Sequence, residues 1–245
     1  MRAVPHVGAG RLGSLPAAVL ALLLGACSAG PGTARSTAIR NQGADRRIAE
    51  SINLTPADLP GFQAGASTAG TSAAGRSLAH CAGAPDPASV DVVDLASPIF
   101  TVSEGNGQEQ FSSDVAMVHT PPEAAADLRA LGGSRIDGCL RSVIVPALSG
   151  ALPAGASLGA PTVTRLRPVW APAGSVMLHI VLPVSATASG ATAGLSLEID
   201  LLAFSVGRAQ VALDGLTIGN ADPSTQEARL TNVLYRRVRS VRQAA

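Results

Sequence analysis

The run Gly155-Ala156-Ser157-Leu158-Gly159 matches G-x-S-x-G, the pattern in which a strained turn lifts a serine out over a sheet as a nucleophile. That chemistry needs a strand before the serine, a helix after it, and an acid and then a histidine further along. Here a helical pattern and Pro153 come first, and Pro161 and a β-rich run follow. The later histidine, His179, lies inside MLHIVL with no acid between it and the motif. The context therefore predicts an ordinary serine, with hydrolysis through Ser157 as a minor alternative.

Other residues able to do chemistry are few. His80, His119 and His179 have no histidine or carboxylate at a recognised ligand spacing, so they read as partly buried structural histidines and not as a metal set. Glu198 and Asp200 share one strand face with Ser196, a pattern that predicts a solvated surface. The chain contains no lysine, so a lysine-bearing phosphate loop is excluded. No cofactor is expected. Arg229, Arg236, Arg237, Arg239 and Arg242 cluster near the C-terminus, mostly off the apolar stripe of one helix. They predict a solvated face whose late charges complement the helix dipole; contact of Arg236, Arg239 and Arg242 with anionic headgroups or an acidic partner is the alternative.

The N-terminus has the three parts of an export signal: Arg2 and Arg11 with no acid, an apolar stretch from Leu15 to Ala26, and small residues before Cys27. The stretch is too short to span a bilayer as a helix, which takes roughly 20 residues. Leu24-Gly25-Ala26-Cys27 resembles the bacterial lipobox. The resemblance implies cleavage before Cys27 and a diacylglycerol on its thiol, an anchor in which each buried methylene contributes ~0.8 kcal/mol. The expected organisation is a signal over residues 1–26, a lipidated flexible tether over 27–44, and one domain over 45–245. The expected location is the outer face of the plasma membrane.

With Cys27 carrying lipid, Cys81 and Cys139 are left as an even pair in an oxidising compartment, which predicts a disulfide. A reactive thiol beside His80 is the rival reading, but no CxxC spacing supports it. Arginine as the sole strongly basic residue, with abundant alanine, glycine and valine, suits a high-GC genome such as an actinobacterial one. Net charge is near zero, so no global field attracts nucleic acid. The aromatics are Phe62, Phe100, Phe111, Trp170, Phe204 and Tyr235. They predict an aliphatic core and argue against stacked platforms for sugars or single strands.

The elements that position these residues follow from periodicity. DRRIAESI (45–52) reads as a short helix, Thr55-Pro56 starts a further turn, GFQAGASTAGTSAAG reads as a loop, and RSLAHC as a short helix. VDVVDL, SPIFTVS and QEQFSSDVAMVH alternate as strands. PPEAAADLRAL and SRIDGCLRSVIVPAL read as helices, the second ending at Pro146, so that a Cys81–Cys139 bridge is expected to staple helix to sheet. PTVTRLRPVW, SVMLHIVLPVSAT, LSLEIDLLAFSV and RAQVALDGLTI are β-rich, with a tight turn at Gly207-Arg208. Asp222-Pro223 opens a helix whose Leu230, Val233, Leu234, Val238 and Val241 recur at helical spacing. The sum is an α+β domain: a mainly antiparallel sheet packed against helices, closed by an amphipathic C-terminal helix.

LTPADLPGF, the Ser97-Pro98-x-Phe100 strand, Cys81 with a helical Cys139, the late Gly-Arg hairpin and the closing helix together resemble a group of actinobacterial lipoproteins. These are similar to the extracellular sensor domain of mycobacterial membrane serine/threonine kinases. In that kinase domain the resemblance implies two disulfides and a cleft; this chain has cysteines for one bridge, and no residue role is carried over. The expected function is binding and not catalysis, of a small ligand or an envelope protein. A lipid carrier with an apolar cavity and a serine hydrolase are the alternatives.

Overall fold

Runs that alternate apolar and small polar residues and are broken by tight turns dictate hairpins, and hairpins build the molecule. The computed structural model describes residues 35–67, 73–104, 107–149, 152, 156–188, 191–219 and 222–244. The signal, Cys27, residues 28–34 of the tether and Gly155 lie outside the described residues.

Helix α1 (Arg35–Ile52) begins well before Asp45, where the apolar spacing first shows. A 3-10 turn (Pro56–Asp58) follows, and then an edge strand β1 (Gln63–Ser67), where a loop was expected. The sequence hides β1 because all five of its residues are exposed, and only its backbone is used, antiparallel to the next long strand. Helix α2 (Ala73–Ala82) and the single turn α3 (Pro87–Val90) lead to β2 (Asp91–Ala96), β3 (Pro98–Glu104) and β4 (Gly107–Val118). Helices α4 (Pro121–Gly132) and α5 (Ile136–Ser149) are inserted before the short strands β5 (Ala156–Leu158) and β6 (Thr162–Leu166). Strands β7 (Val176–Ala188), β8 (Ala191–Val206) and β9 (Ala209–Ile218) form a meander, and α6 (Ser224–Ala244) closes the chain.

The result is one antiparallel sheet in the order β1-β3-β4-β9-β8-β7-β5, with β2 also on β4 and β6 also on β7. One edge of β4 is shared: β3 pairs with its first half and β2 with its second. Ser97 stitches the break, its N–H donating to the Ser113 carbonyl and its Oγ accepting from the Ser113 N–H. Gly207 turns β8 into β9 at φ +63°, a conformation costly for any other residue type except asparagine or aspartate. The neighbouring Arg208 donates to the Val118 carbonyl and, at 2.6 Å, to Asp45 of α1. Helix α4 starts with a reciprocal capping box, formed by Thr120 and Glu123 over Pro121. Helix α5 runs past Pro146, where an end was expected, because Leu148 in its last turn is buried against the sheet.

Helices cover both faces, so the sheet is the middle of three layers. On one face α1 and α6 pack Ala49, Ile52, Leu230, Leu234 and Val238 against Phe111, Val115, Val211 and Phe204. All six aromatic side chains belong to this layer, with Phe204 edge-on to Tyr235 and Phe62 tilted against Phe111. On the other face α5 packs Ile136, Leu140 and Leu148 against Leu178, Ile180, Leu182, Ile199 and Leu216, an aliphatic layer with no ring in it.

The α1–α6 layer is pinned by an ion pair. Arg237 holds both oxygens of Asp58 at 2.8 and 3.0 Å and donates to the Asn53 carbonyl at the end of α1. Burial pushes the Asp58 carboxyl up, but the hydrogen bonds and charge of Arg237, with those from Thr55, hold it below its ordinary value. Arg229 adds a bond to the Asp58 carbonyl oxygen. Arg237→Ala is therefore expected to cost about 2 kcal/mol, since it leaves a buried carboxylate without its partner. Urea unfolding at neutral pH checks this.

Candidate functional site

The aliphatic layer is incomplete. Helices α2 and α4 stand off the sheet over β2, β4, β8 and β9 and leave a cleft of about 230 Å³. Its walls are Leu78, Ala79 and Ala82 of α2, Leu128 and Leu131 of α4, and Ile136 of α5; the sheet supplies Ala116, Leu201, Ala203 and Ala212. Into this apolar surface the chain sets four carboxyl groups, Asp94, Asp114, Asp127 and Asp214, and the carboxamide of Gln210.

Each acid arrives there by periodicity. Asp114 on β4 and Asp214 on β9 share the face of Ala116, Gln210 and Ala212, because side chains alternate along a strand. Asp94 comes from β2, which pairs with β4 in this half of the sheet. Asp127 lies three residues after the buried Ala124 and four before Leu131, so it points with the apolar face of α4 at the sheet. There Gln210 donates to its Oδ2 at 2.5 Å.

The electrostatics follow from the burial. Asp214 is 2% exposed and Asp114 lies beside it, so desolvation first, and Asp114's charge second, raise the Asp214 carboxyl well above its ordinary value. Asp94 and Asp114 share a hydrogen bond; desolvation raises both, so the pair keeps a proton where a free aspartate would lose it. Asp127 is raised by burial although Gln210 opposes it. Asp91, three residues before Asp94 on β2 and across a register shift, is pushed up to about 8 by burial, with Asp127, Asp114 and Glu123 adding repulsion. Oδ2 of Asp214, Oδ1 of Asp127 and both oxygens of Asp91 are buried without a hydrogen-bond partner. The cleft is thus an apolar pocket holding carboxyls that burial raises, two of them with an unpartnered oxygen.

Cys81 and Cys139 are bonded, with a sulfur–sulfur distance of 2.09 Å, and the bridge joins α2 to α5. It staples helix to helix, not helix to sheet as the sequence suggested, because α2 lies beside α5 and not on a strand. The bridge fixes the wall that carries Leu78, Ala79 and Ala82, so the disulfide belongs to the architecture of the cleft.

A second polar group lies on the opposite face. His179 Nδ1 is 2.9 Å from Asp200, which is 7% exposed and not on a solvated surface as expected from its spacing with Ser196 and Glu198. Helix α6 covers that face and brings Glu227 against Asp200; burial, then the charge of Asp200, raises the Glu227 carboxyl. The room is made by Gly215, where a Cβ would stand 3.0 Å from Glu227 Oε1 and 3.3 Å from Phe111. His80 and His119 are exposed, contrary to the expectation of partial burial. Among the described residues no three His, Cys, Asp or Glu side chains are arranged to hold a metal ion.

Ser157 is exposed on β5, registered with Ser185 of β7, and does not sit on a strand-to-helix turn. Arg236 and Arg239 are exposed, the latter over the Tyr235 ring at 5.7 Å; the side chain of Arg242 lies outside the described residues. Arg229 and Arg237 face inward to Asp58, so the arginines divide between structure and surface. No described helix is long and apolar enough to cross a membrane. The chain matches no family model, no curated protein and no solved structure in the comparisons made.

Proposed function

We propose that this chain is a lipid-anchored, extracytoplasmic binding protein whose three-layer domain holds a small ligand in the cleft beneath α2 and α4. It is a sensor-like receptor and not an enzyme, of the kind its resemblance to actinobacterial lipoproteins implies. One observation carries the reading: a 230 Å³ cleft with apolar walls and a few convergent polar groups, two of which have unsatisfied buried oxygens. Sites for small molecules have this composition, and their volumes run from about 300 Å³ upward, so the volume favours a small ligand over a whole diacyl lipid. The lipobox resemblance at Leu24–Cys27 supports the anchor. The exposed Arg236 and Arg239 support a secondary contact with headgroups once the domain is held at a membrane.

The two halves are tested separately. Cys27→Ala should move the protein from the membrane fraction to the soluble or unprocessed fraction; unchanged fractionation and processing would remove the anchor. For the cleft, the neutral fluorophore N-phenylnaphthylamine should bind the wild-type chain and fail to bind Ala212→Phe, which fills the floor. Equal fluorescence from the two proteins, or none from either, would remove the cleft as the site.

A further inference from the structure

We infer that the cleft takes a small organic cation, an ammonium group carried on a compact apolar body, with Asp214 and Asp114 on β9 and β4 receiving the ammonium. This rests on the ligand-binding reading above and assigns a chemical class to that site. Among the described residues the polar groups of the lining are four carboxyls and one carboxamide, with no arginine or histidine. An anionic ligand would meet no positive charge from these residues and would face like charge wherever a carboxyl is ionised. Asp214 is 98% buried, lines the cleft, and leaves its Oδ2 unpartnered; Asp127 leaves its Oδ1 unpartnered as well. Buried acceptors without donors are costly, and an ammonium is a group of donors with no acceptor of its own, so the two complete one another. A hydroxyl would bring one donor and add further lone pairs. A bare metal ion lacks its ligand set among the described residues. The remaining wall is mostly aliphatic, Leu78, Leu128, Leu131 and Leu201 among others with Phe204 beside them, and suits an alkyl or alicyclic body.

The raised carboxyls of the cleft give the inference a second signature. Among the described residues every titratable group that lines it is acidic: Asp94 from β2, Asp114 from β4, Asp214 from β9 and Asp127 from α4, with Asp91 and Glu123 near them; the described lining residues of α2 and α5 are apolar. Burial holds these carboxyls protonated beyond the ordinary range. An ammonium is bound more strongly by an ionised carboxylate than by a neutral carboxyl, so binding is expected to release a proton. Affinity for an amine then rises with pH while the amine keeps its charge, to about pH 10 for an alkylammonium.

The test is calorimetric titration of the full chain with three probes on one skeleton: cyclohexylmethylamine, cyclohexylmethanol and cyclohexanecarboxylate. The amine is expected to bind about tenfold tighter than the alcohol, as charged hydrogen bonds differ from neutral ones, and the carboxylate not at all. The amine's affinity should rise between about pH 6 and pH 8 with proton release, seen as a dependence of the heat on buffer ionisation enthalpy. Asp214→Asn should abolish the preference for amine over alcohol, and Asp127→Asn should weaken it, so that one variant suffices if the other fails to fold. Alcohol binding as tightly as amine, or amine preference undiminished in the folded variants, overturns the cation while leaving the cleft as a binding site. If none of the three probes binds but N-phenylnaphthylamine does, the cation again falls alone. Absence of binding by all four removes both readings.

Discussion

Replacing Cys81 and Cys139 together with serine is expected to cost about 4 kcal/mol of stability, the largest effect of any change proposed for this chain. The bridge spans a sequence separation of 58, and closing a loop of that length removes about 4 kcal/mol of entropy from the unfolded chain. The cost has a functional side. Helix α2 contributes three apolar residues to the cleft and is held to α5 by this bridge, with Cys139 buried and Cys81 exposed at the helix surface. Loss of the bridge should therefore loosen one wall as well as favour unfolding. Urea titration of wild type and double variant gives the stability difference, and hydrogen exchange should report the largest gain in the amides of residues 78–82. A difference under about 1 kcal/mol would mean that non-covalent packing holds α2 without the bridge.

The second large effect is a pH dependence of unusual sign. Most domains lose stability as carboxylates are protonated at low pH. Here Asp91, Asp94, Asp114, Asp127 and Asp214 are all raised, chiefly by burial, with Asp91 at about 8. Between the unfolded value near 4 and these raised values, the folded state binds more protons than the unfolded state. Stability therefore falls as pH rises through that window, by up to ~1.4 kcal/mol per pH unit for each extra proton held. The ligand-free domain should thus be at least about 2 kcal/mol more stable near pH 5 than near pH 8. Asp214→Asn, which removes a buried titrating group and keeps its shape, should raise stability by about 1 kcal/mol or more at the higher pH and flatten the slope. Thermal unfolding across the range checks both; stability that rises from pH 5 to pH 8 would contradict the burial of these acids in a protonated state.

The architecture was largely legible, for a physical reason. Strand and helix periods at 107–118, 121–131 and 224–241 are set by residues that pack, and packing obeys the same alternation as sequence. The α+β class, the antiparallel sheet and the buried stripe of α6 all follow from it. Strand β1 was hidden because its exposed QAGAS residues are chosen for their backbone and not for burial. The start of α1 at Arg35 was hidden because its first turns carry no apolar spacing.

The acids of the cleft were missed, because the logic that finds the strands gives no reason to single them out. Polar residues alternating with apolar ones, as in Gln210, Ala212 and Asp214 against Val211 and Leu213, ordinarily mark a face turned to water. Here helices cover both faces, so the polar half of the alternation was buried, and Asp200 with it. Asp127 left a trace that was readable, an acid on the apolar stripe of α4 between Ala124 and Leu131. Nothing along the chain shows that Asp94, Asp114, Asp127 and Asp214 meet, since that requires the crossover by which β9 comes to lie beside β4.

The central claim, that the cleft under α2 and α4 is a ligand site, is tested most directly by native mass spectrometry of the full chain from an exporting host. It should be run beside Ala212→Phe prepared in the same way. The wild-type protein should carry a small non-covalent adduct that the filled variant lacks, and that dissociates as a positively charged species. Bare masses for both proteins, or the same adduct on both, would contradict the cleft as the site of binding.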